Sequence, residues 1–321
     1  NLPLLYFLYQ NQEEETVMGT VITTDSLTKT YGKKDVVKDL DLRVPGGSIY
    51  GFLGPNGAGK STTMKMILGL IKPSKGEITV LGKEVNEKNR LSVLRNTGSL
   101  IEAPSYYGHL SGVENLEIIC TLKNVPLSEI QRVLKIVRME KQKDKKVSQY
   151  SLGMKQRLGL AAALLGNPKI LLLDEPTNGL DPAGIQEMRE LVCSLPKQYG
   201  MTVLVSSHLL SEIDQMATHV GIINQGELIF QDSLSALHKH SRSRLILKTD
   251  NDTAALSVLL SFGLSASLEG KNLCLKTTDN ETVIKAVNVL VQSGIGILRL
   301  TEQQMSLEDI FLQLIGKQVS L

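Results

Sequence analysis

Residues 54–62 read Gly54-Pro55-Asn56-Gly57-Ala58-Gly59-Lys60-Ser61-Thr62, and this stretch decides the fold of the chain. Glycines at this spacing let successive backbone N–H groups turn toward phosphate oxygens, and the helix that follows directs its positive end at the same anion. In such a motif Lys60 reaches the β- and γ-phosphates, and the Ser61 hydroxyl binds Mg²⁺. All nine residues are therefore predicted to bind ATP, in a chain that needs Mg²⁺ as a cofactor.

The sequence on both sides of this loop agrees with that interpretation. Residues 48–53 form a short apolar run that predicts a strand entering the loop, and residues 62–69 continue as a helix ended by Gly69. A glycine-rich turn of no special function is the alternative, but it does not require a strand before it and a helix after it. The complete context predicts an α/β phosphate-loop fold.

A second stretch supplies acidic side chains. Ile170-Leu171-Leu172-Leu173 is continuously apolar rather than alternating, as expected of a central parallel strand buried on both faces. Asp174 then emerges at the carboxyl end of this strand, where ligands bind in an open parallel sheet. We predict that Asp174 holds Mg²⁺ through water and that Glu175 is the general base for the attacking water. Without the phosphate loop, this pair would indicate only an exposed strand end.

Residues 21–230 resemble the nucleotide-binding subunits of ATP-binding cassette (ABC) transporters. The resemblance rests on four further elements, which are Ser151-Leu152-Gly153-Met154-Lys155-Gln156-Arg157 (signature motif), Gly179-Leu180-Asp181-Pro182 (D-loop), His208 (switch histidine) and Tyr31 followed by Gly32. It implies a mixed-sheet, RecA-like core with a helical subdomain.

The resemblance also implies a composite site. Two copies would sandwich two ATP molecules, with Ser151 and Gly153 of one copy contacting the γ-phosphate bound by the other. Asp181 would join this nucleotide interface, His208 would contact the γ-phosphate and Tyr31 would stack on adenine. Hydrolysis would then require a homodimer.

Each of these weaker elements has a plainer alternative. Ser151 could only cap the helix predicted over residues 154–165. Tyr31 could be an ordinary half-buried aromatic residue, and His208 an ordinary loop histidine after the strand predicted at residues 202–205. Their order and spacing relative to the phosphate loop and Asp174 favour the functional interpretation, because independent coincidences multiply.

Glu102 departs from the family pattern, which has a glutamine at the end of this strand. A carboxylate at this position is predicted to be a metal ligand and a second proton acceptor. Residues 99–107 resemble the acidic variant of this loop in transporters that protect bacteria from lantibiotics, with bacitracin-resistance transporters as close relatives. The alternative is a tolerated substitution on an exposed loop.

The domain organisation follows from the change of pattern along the 321 residues, of which 42% are hydrophobic. We expect an N-terminal extension at 1–19, which is either native upstream sequence or a non-native addition, a nucleotide-binding domain at 20–232 with its helical subdomain at about 103–165, and an accessory α/β domain at 233–321. In the last part the pattern predicts a ferredoxin-like β-α-β-β-α-β order and a closing helix at 307–314. Cys120, Cys193 and Cys274 lie far apart and are expected to be reduced core residues.

Composition bears on the partners. A net charge of +2 argues neither for nor against nucleic acid, but no basic stripe interleaved with aromatic residues is present, which predicts no nucleic-acid partner. No run approaches the ~20 apolar residues of a spanning helix, so transport would need integral-membrane permease subunits, with this chain on the cytoplasmic face. The function predicted from the resemblance is ATP-driven expulsion of lantibiotic peptides. The alternatives are export of bacitracin, another drug or an ion, or a regulatory ATP-binding module.

Overall fold

A computed structural model of the chain describes residues 19–102, 106–239, 244–269, 272–275 and 279–303. These residues form two compact units, 19–208 with 216–231 and 209–215 with 232–303. The predicted N-terminal extension and the helix predicted at 307–314 lie outside the described residues. The domain boundary at 232 stays a prediction.

The strands are numbered in chain order: β1 (Thr20–Tyr31), β2 (Lys34–Leu40), β3 (Arg43–Pro45), β4 (Ile49–Leu53), β5 (Lys75–Val80), β6 (Lys83–Glu84), β7 (Thr97–Leu100), β8 (Ile170–Asp174), β9 (Thr202–Ser207), β10 (His219–Asn224), β11 (Glu227–Ser233), β12 (Arg244–Thr249), β13 (Ala266–Glu269), β14 (Asn272–Leu275) and β15 (Ile297–Gln303). The helices are α1 (Lys60–Ile67), α2 (Arg90–Arg95), α3 (Gly112–Lys123), α4 (Glu129–Ile136), α5 (Leu152–Leu164), α6 (Pro182–Tyr199), α7 (Leu210–Asp214), α8 (Leu234–Lys239), α9 (Asp252–Ser261) and α10 (Asn280–Gln292).

The first unit is built on a sheet in the order β11-β10-β4-β9-β8-β7, in which the pairs from β10 to β7 are parallel. Every residue of β4 and β9 is buried, as are the four leucine and isoleucine residues of β8. Continuous apolar runs have this position because both faces of a central parallel strand are covered. The mixed α/β phosphate-loop core predicted from the sequence is confirmed.

The register of this sheet brings three loops to one edge. Phe52 of β4 pairs with Ser206 of β9, and Ser206 pairs with Asp174 of β8. Strands in a sheet lie about 4.8 Å apart, so the loops that follow β4, β8 and β9 leave the sheet side by side. The phosphate loop, Glu175 and His208 are the residues that follow.

A second, antiparallel sheet in the order β2-β1-β5-β6 accompanies the core, with β3 also paired to β1. Strand β1 continues as far as Tyr31. It ends there because Gly32, at φ 61°, turns the chain into β2, so that Tyr31 pairs with Lys34. Tyr31 thus ends a strand instead of lying in a loop.

Helices α3, α4 and α5 form the helical part between residues 112 and 164. Helix α4 ends at Ile136, because Arg138 adopts φ 59° and breaks the helical path. Helix α5 begins at Leu152, two residues earlier than predicted, because the side chain of Ser151 caps it by accepting a hydrogen bond from Met154 N (3.3 Å).

The second unit carries an antiparallel sheet in the order β13-β14-β12-β15, with α9 between β12 and β13 and α10 between β14 and β15. This is the β-α-β-β-α-β order expected from the sequence. Its core is closed by Leu247, Leu259, Leu273 and Leu290, which are all fully buried.

Cys120 and Cys274 are buried as expected, whereas Cys193 is only partly buried, because it is not among the buried residues of α6, which are Met188, Leu191, Val192 and Leu195. No helix in the described ranges combines the length and the apolar character that crossing a membrane requires.

Candidate nucleotide site

The phosphate loop connects β4 to α1 and lines a cavity of about 140 Å³. The lining residues are Val36, Asn56, Gly57, Gly59, Lys60, Ser61, Thr62 and Glu175. Gly59 has φ 111°, and a Cβ at this position would lie 2.7 Å from the carbonyl oxygen of Val36. A side chain is therefore excluded at Gly59 both by the backbone conformation and by the lack of space beside Val36.

The rest of the loop is held in place by contacts with β10, with Gly226 and within the loop itself. A Cβ on Gly54 would lie 2.3 Å from the Ile223 carbonyl oxygen, so the loop begins in direct contact with β10. The Ala58 carbonyl accepts a hydrogen bond from Gly226 N (3.0 Å), and Ala58 N donates to the Pro55 carbonyl (3.1 Å). Gly54, Pro55 and Ala58 therefore shape the loop, while the other loop residues face the cavity.

Lys60 is the first residue of α1 and is only 5% exposed. Its Nζ donates hydrogen bonds to the carbonyls of Gly54 (2.7 Å) and Pro55 (3.3 Å) and lies 3.5 Å from Glu175 Oε1. A buried ammonium group is costly unless it is paired. The fold thus fixes a cation at the place where the motif predicts phosphate contact.

Glu175 lies just beyond β8 in a left-handed backbone conformation, φ 47°. Non-glycine residues rarely adopt this conformation, and such strain concentrates at functional sites. Its N–H donates to Ser206 Oγ (3.0 Å), and the same hydroxyl donates to Asp174 Oδ1 (2.5 Å). Ser206, which is not among the site residues predicted from the sequence, therefore holds both acidic residues.

His208 follows β9 and is brought to the same carboxylate. Its Nδ1 lies 3.1 Å from Glu175 Oε2, and 36% of its side chain is exposed. The two oxygens of Glu175 thus face two basic groups, Lys60 and His208. This arrangement brings together three of the predicted functional side chains around one corner of the cavity.

The oxygen donors at this corner fit Mg²⁺. Ser61 lines the cavity and Asp174 ends the neighbouring strand β8. In the described part of the chain, no group of three or more His, Cys, Asp or Glu side chains forms a metal site. A hydroxyl, one carboxylate, phosphate oxygens and water are the usual ligands of Mg²⁺ in nucleotide sites, so this donor set suits an ion shared with a nucleotide.

The signature and D-loop residues line a different cavity, of about 730 Å³. Ser151, Gly153 and Asp181 all belong to its wall. Two helices begin there, because Ser151 caps α5 and Asp181 caps α6 by accepting a hydrogen bond from Gly184 N (2.9 Å). The capping role considered for Ser151 is present, and it leaves Ser151 exposed at the helix N-terminus.

An ion pair that sequence reasoning did not find joins these two helices. Arg157 of α5 pairs with Glu187 of α6, and only 16% of the Arg157 side chain is exposed. Burial lowers the pKa of the Arg157 guanidinium, and the nearby Arg138 lowers it further. Leu152 stands beside Gly179, where an added Cβ would meet Leu152 Cδ2 at 3.1 Å. The signature motif and the D-loop therefore form one packed structure.

Glu102 and Tyr31 lie apart from the residues that line the phosphate-loop cavity and from those that line the signature-motif cavity. The Glu102 side chain is 67% exposed and pairs with Lys65 of α1, and its backbone has φ 63°. Glu102 lines neither of the two cavities. Tyr31 is 49% exposed at the end of β1. The expected meeting of Glu102 with Ser61 and Asp174 is not seen, because Lys65 holds its carboxylate outside.

Tyr106, four residues beyond Glu102, connects this region to the signature helix. Its hydroxyl donates to the Lys155 carbonyl (2.5 Å), and burial raises the pKa of Tyr106. Residues 103–105 lie outside the described residues.

Comparisons with known proteins agree with this geometry. The sequence model of the ABC transporter family matches residues 37–178. The chain is 43% identical over 302 residues to the bacitracin transport ATP-binding protein BcrA of Bacillus licheniformis, covering 93% of this chain and 98% of that protein. It is 43% identical over 211 residues to the lantibiotic transport ATP-binding protein SrtF of Streptococcus pyogenes, covering 66% of this chain and 90% of that protein.

The fold is also similar to a solved dimer of the ATP-binding cassette MJ0796 in a post-hydrolysis state bound to ADP and Pi. The TM-score is 0.61 at 25% identity, and the alignment covers 66% of this chain and 98% of the cassette. The matched portion corresponds in extent to the first unit rather than to the whole chain.

Proposed function

This chain belongs to the ABC transporter family and is an ATP-hydrolysing, ATP-binding subunit, and from that premise we propose that it drives the expulsion of antimicrobial peptides. The observation that carries the chemical part of the proposal is the Lys60–Glu175–His208 cluster at the mouth of the phosphate loop. The peptide substrate is proposed from the similarity of the chain to a bacitracin transport protein and to a lantibiotic transport protein.

Nucleotide binding is assigned to the first cavity. The backbone N–H groups of the loop residues that line the cavity and the ammonium group of Lys60 neutralise phosphate charge, and the N-terminus of α1 adds its dipole. Ser61 and Asp174 would hold Mg²⁺, which supplies positive charge to the phosphate oxygens during cleavage. Tyr31 receives the adenine ring.

Hydrolysis is assigned to Glu175. Its carboxylate accepts the proton of the water that attacks the γ-phosphate, and the left-handed backbone with the Ser206 hydrogen bond fixes where that carboxylate points. His208 is hydrogen-bonded to the same carboxylate and steadies it, while its exposed edge can reach the γ-phosphate.

The complete site requires a second copy of the chain. Ser151, Gly153 and Asp181 line one cavity, whereas the phosphate loop lines another. We propose that Ser151 and Gly153 complete the site of the partner copy, with the exposed N-terminus of α5 directed at the γ-phosphate.

A mixing experiment tests this composite site. Lys60→Ala removes the phosphate lysine, and Ser151→Arg blocks the signature surface, so each variant alone should lose nearly all ATP hydrolysis. A mixture should recover a measurable fraction of the wild-type rate, because a mixed dimer has one intact loop facing one intact signature.

The matched control carries both substitutions in the same chain and is mixed with Lys60→Ala. No recovery is expected there, since no intact loop is available. Equal rates in the two mixtures would contradict the composite site while leaving ATP binding unaffected.

The family's ATP-binding subunits work with integral-membrane permeases, and we propose that this chain does so at the cytoplasmic face of the membrane. Glu102 and Tyr106 are the residues we assign to this coupling. Glu102 is tied to α1 through Lys65, and Tyr106 is tied to α5 through Lys155. A displacement of Glu102 and Tyr106 would therefore reach both the phosphate-loop helix and the signature helix. In this proposal Glu102 is a coupling residue first, and it becomes a metal ligand only if the Lys65 pair opens.

Two peptide classes remain within the proposal, lantibiotics and bacitracin. The similarity to the bacitracin transport protein extends over 302 residues, against 211 for the lantibiotic transport protein. The longer match includes most of the second unit. For this reason we keep bacitracin as a second candidate substrate beside the lantibiotics.

Susceptibility of cells separates these candidates. Cells that express the chain with its own permeases should tolerate more nisin-type peptide, more bacitracin or both, and Glu175→Gln should abolish the protection because transport depends on hydrolysis. An unrelated ribosome-targeting drug serves as the control compound. Assembled wild-type complexes that protect against neither peptide would overturn the peptide proposal and leave the ATPase assignment standing.

A further inference from the structure

Lys29 has a contact that the proposed reaction does not use. Its Nζ lies 5.1 Å from the centroid of the Tyr31 ring. A cation within about 6 Å of an aromatic face is attracted by the ring quadrupole. Tyr31 is 49% exposed, so Lys29 covers part of the ring while much of it stays open to solvent.

Lys29 is itself fixed in position. Its Nζ donates a hydrogen bond to the carbonyl of Lys72 (2.7 Å). The segment that contains Lys72 makes two further hydrogen bonds to the end of β1. Thr30 N donates to Ser74 Oγ (3.0 Å), and Ser74 N donates to the Thr28 carbonyl (2.8 Å). The ammonium group of Lys29 is therefore hydrogen-bonded to a segment that is itself hydrogen-bonded to β1. Its position is fixed more firmly than that of an ordinary surface lysine.

The hairpin that carries Tyr31 also reaches the phosphate cavity. Tyr31 pairs with Lys34, and Val36, two residues further along β2, lines the cavity. At about 3.3 Å per residue, these two residues span roughly 7 Å. The carbonyl of Val36 lies where a side chain on Gly59 would have to go. The Tyr31 ring and the phosphate loop are thus connected by one short, rigid strand segment.

We propose that Lys29 is a positioning residue for the nucleotide base, which holds the Tyr31 ring by a cation–π contact so that its open face receives adenine. The inference rests on the proposed role of Tyr31 and assigns a function to a residue outside the recognised motifs. The group it serves is a flat aromatic base, not the phosphates.

Calorimetric titration with two ligands tests this role. Lys29→Met removes the charge at similar length and should weaken ATP binding about 2- to 5-fold, the effect of an exposed cation–π contact. Binding of inorganic tripolyphosphate, which has no base, should be unchanged. Lys29→Arg keeps a cation over the ring and should retain the wild-type ATP affinity.

A double-mutant cycle separates the contact from general electrostatics. In a Tyr31→Leu background, Lys29→Met should have no further effect on ATP binding. Equal weakening for ATP and tripolyphosphate, or full weakening in the Tyr31→Leu background, would overturn the inference, as would an unchanged ATP affinity in Lys29→Met.

Two controls keep the outcomes distinct. Unfolding midpoints without ligand report whether each variant is folded, and Lys29→Gln replaces Lys29→Met if the latter is not. Wild-type protein that binds neither ligand would overturn the proposed function and this inference together, whereas wild-type binding without any effect at Lys29 would overturn the inference alone.

Discussion

Replacing Glu175 with glutamine is expected to lower the rate of ATP hydrolysis by about 10²- to 10⁴-fold, the usual contribution of a general base. Glutamine has the same shape and can still bond to His208, but it cannot accept the proton of the attacking water. ATP binding should persist or become tighter, because the negative charge 3.5 Å from Lys60 is removed next to the phosphates. Turnover under saturating ATP and equilibrium binding of ATP measure the two effects separately.

The nucleotide-bound dimer of this variant should also persist longer, since hydrolysis no longer releases it. Sedimentation in the presence of ATP and Mg²⁺ would detect that change. Glu190→Gln is the matched control, because Glu190 lies on α6 and pairs with Arg138, with 48% of its side chain exposed. Turnover of Glu175→Gln equal to that of the control would remove Glu175 from the role of base.

Replacing Lys60 with alanine is expected to weaken ATP binding by about 10- to 100-fold, which corresponds to losing one or more charge-assisted hydrogen bonds of about 1.5–3 kcal/mol. The buried ammonium group has no substitute among the residues that line the cavity, in which the one charged partner is Glu175. Without Lys60, that carboxylate would face the phosphates uncompensated and repel them. Calorimetric titration with ATP measures the loss.

Lys83→Ala provides the control. Lys83 donates a hydrogen bond to Ser92 Oγ (2.6 Å) and does not line the cavity, so its loss should change ATP affinity little. Lys60→Met keeps the buried volume and shows whether charge or packing is responsible. Wild-type ATP affinity in both Lys60 variants would contradict the assigned phosphate contact.

Several features followed from the sequence because they depend on local chemistry. The spelling of residues 54–62 predicts a phosphate loop between a strand and a helix, and β4 and α1 occupy those positions. The apolar run before Asp174 predicts a central parallel strand, because only burial on both faces tolerates such a run. The family and the fold class predicted from these motifs are confirmed.

Other features depend on register and distant contacts that no local pattern encodes. Ser206 reaches Asp174 and the Glu175 amide because β9 lies between β4 and β8, a strand order that the chain order does not contain. Lys65 is 37 residues from Glu102, yet it holds that carboxylate outside the cavity. Val36 and Lys72 lie in stretches of sequence that contain no recognised motif. They acquire their roles only through the β1–β2 hairpin and through the hydrogen bonds that the segment around Lys72 makes to it.

The sequence by itself therefore determined which groups are predicted to bind phosphate and metal, since that chemistry requires particular residue types at a fixed spacing. Only the tertiary structure decided how those groups are oriented and which side chains hold them. Parallel strand pairing brought Glu175 and His208 to one corner, and helix packing separated the signature motif from the phosphate loop. The orientation of a side chain arises from contacts between residues that are far apart in the chain. Such contacts produce no local pattern in the sequence from which they could be predicted.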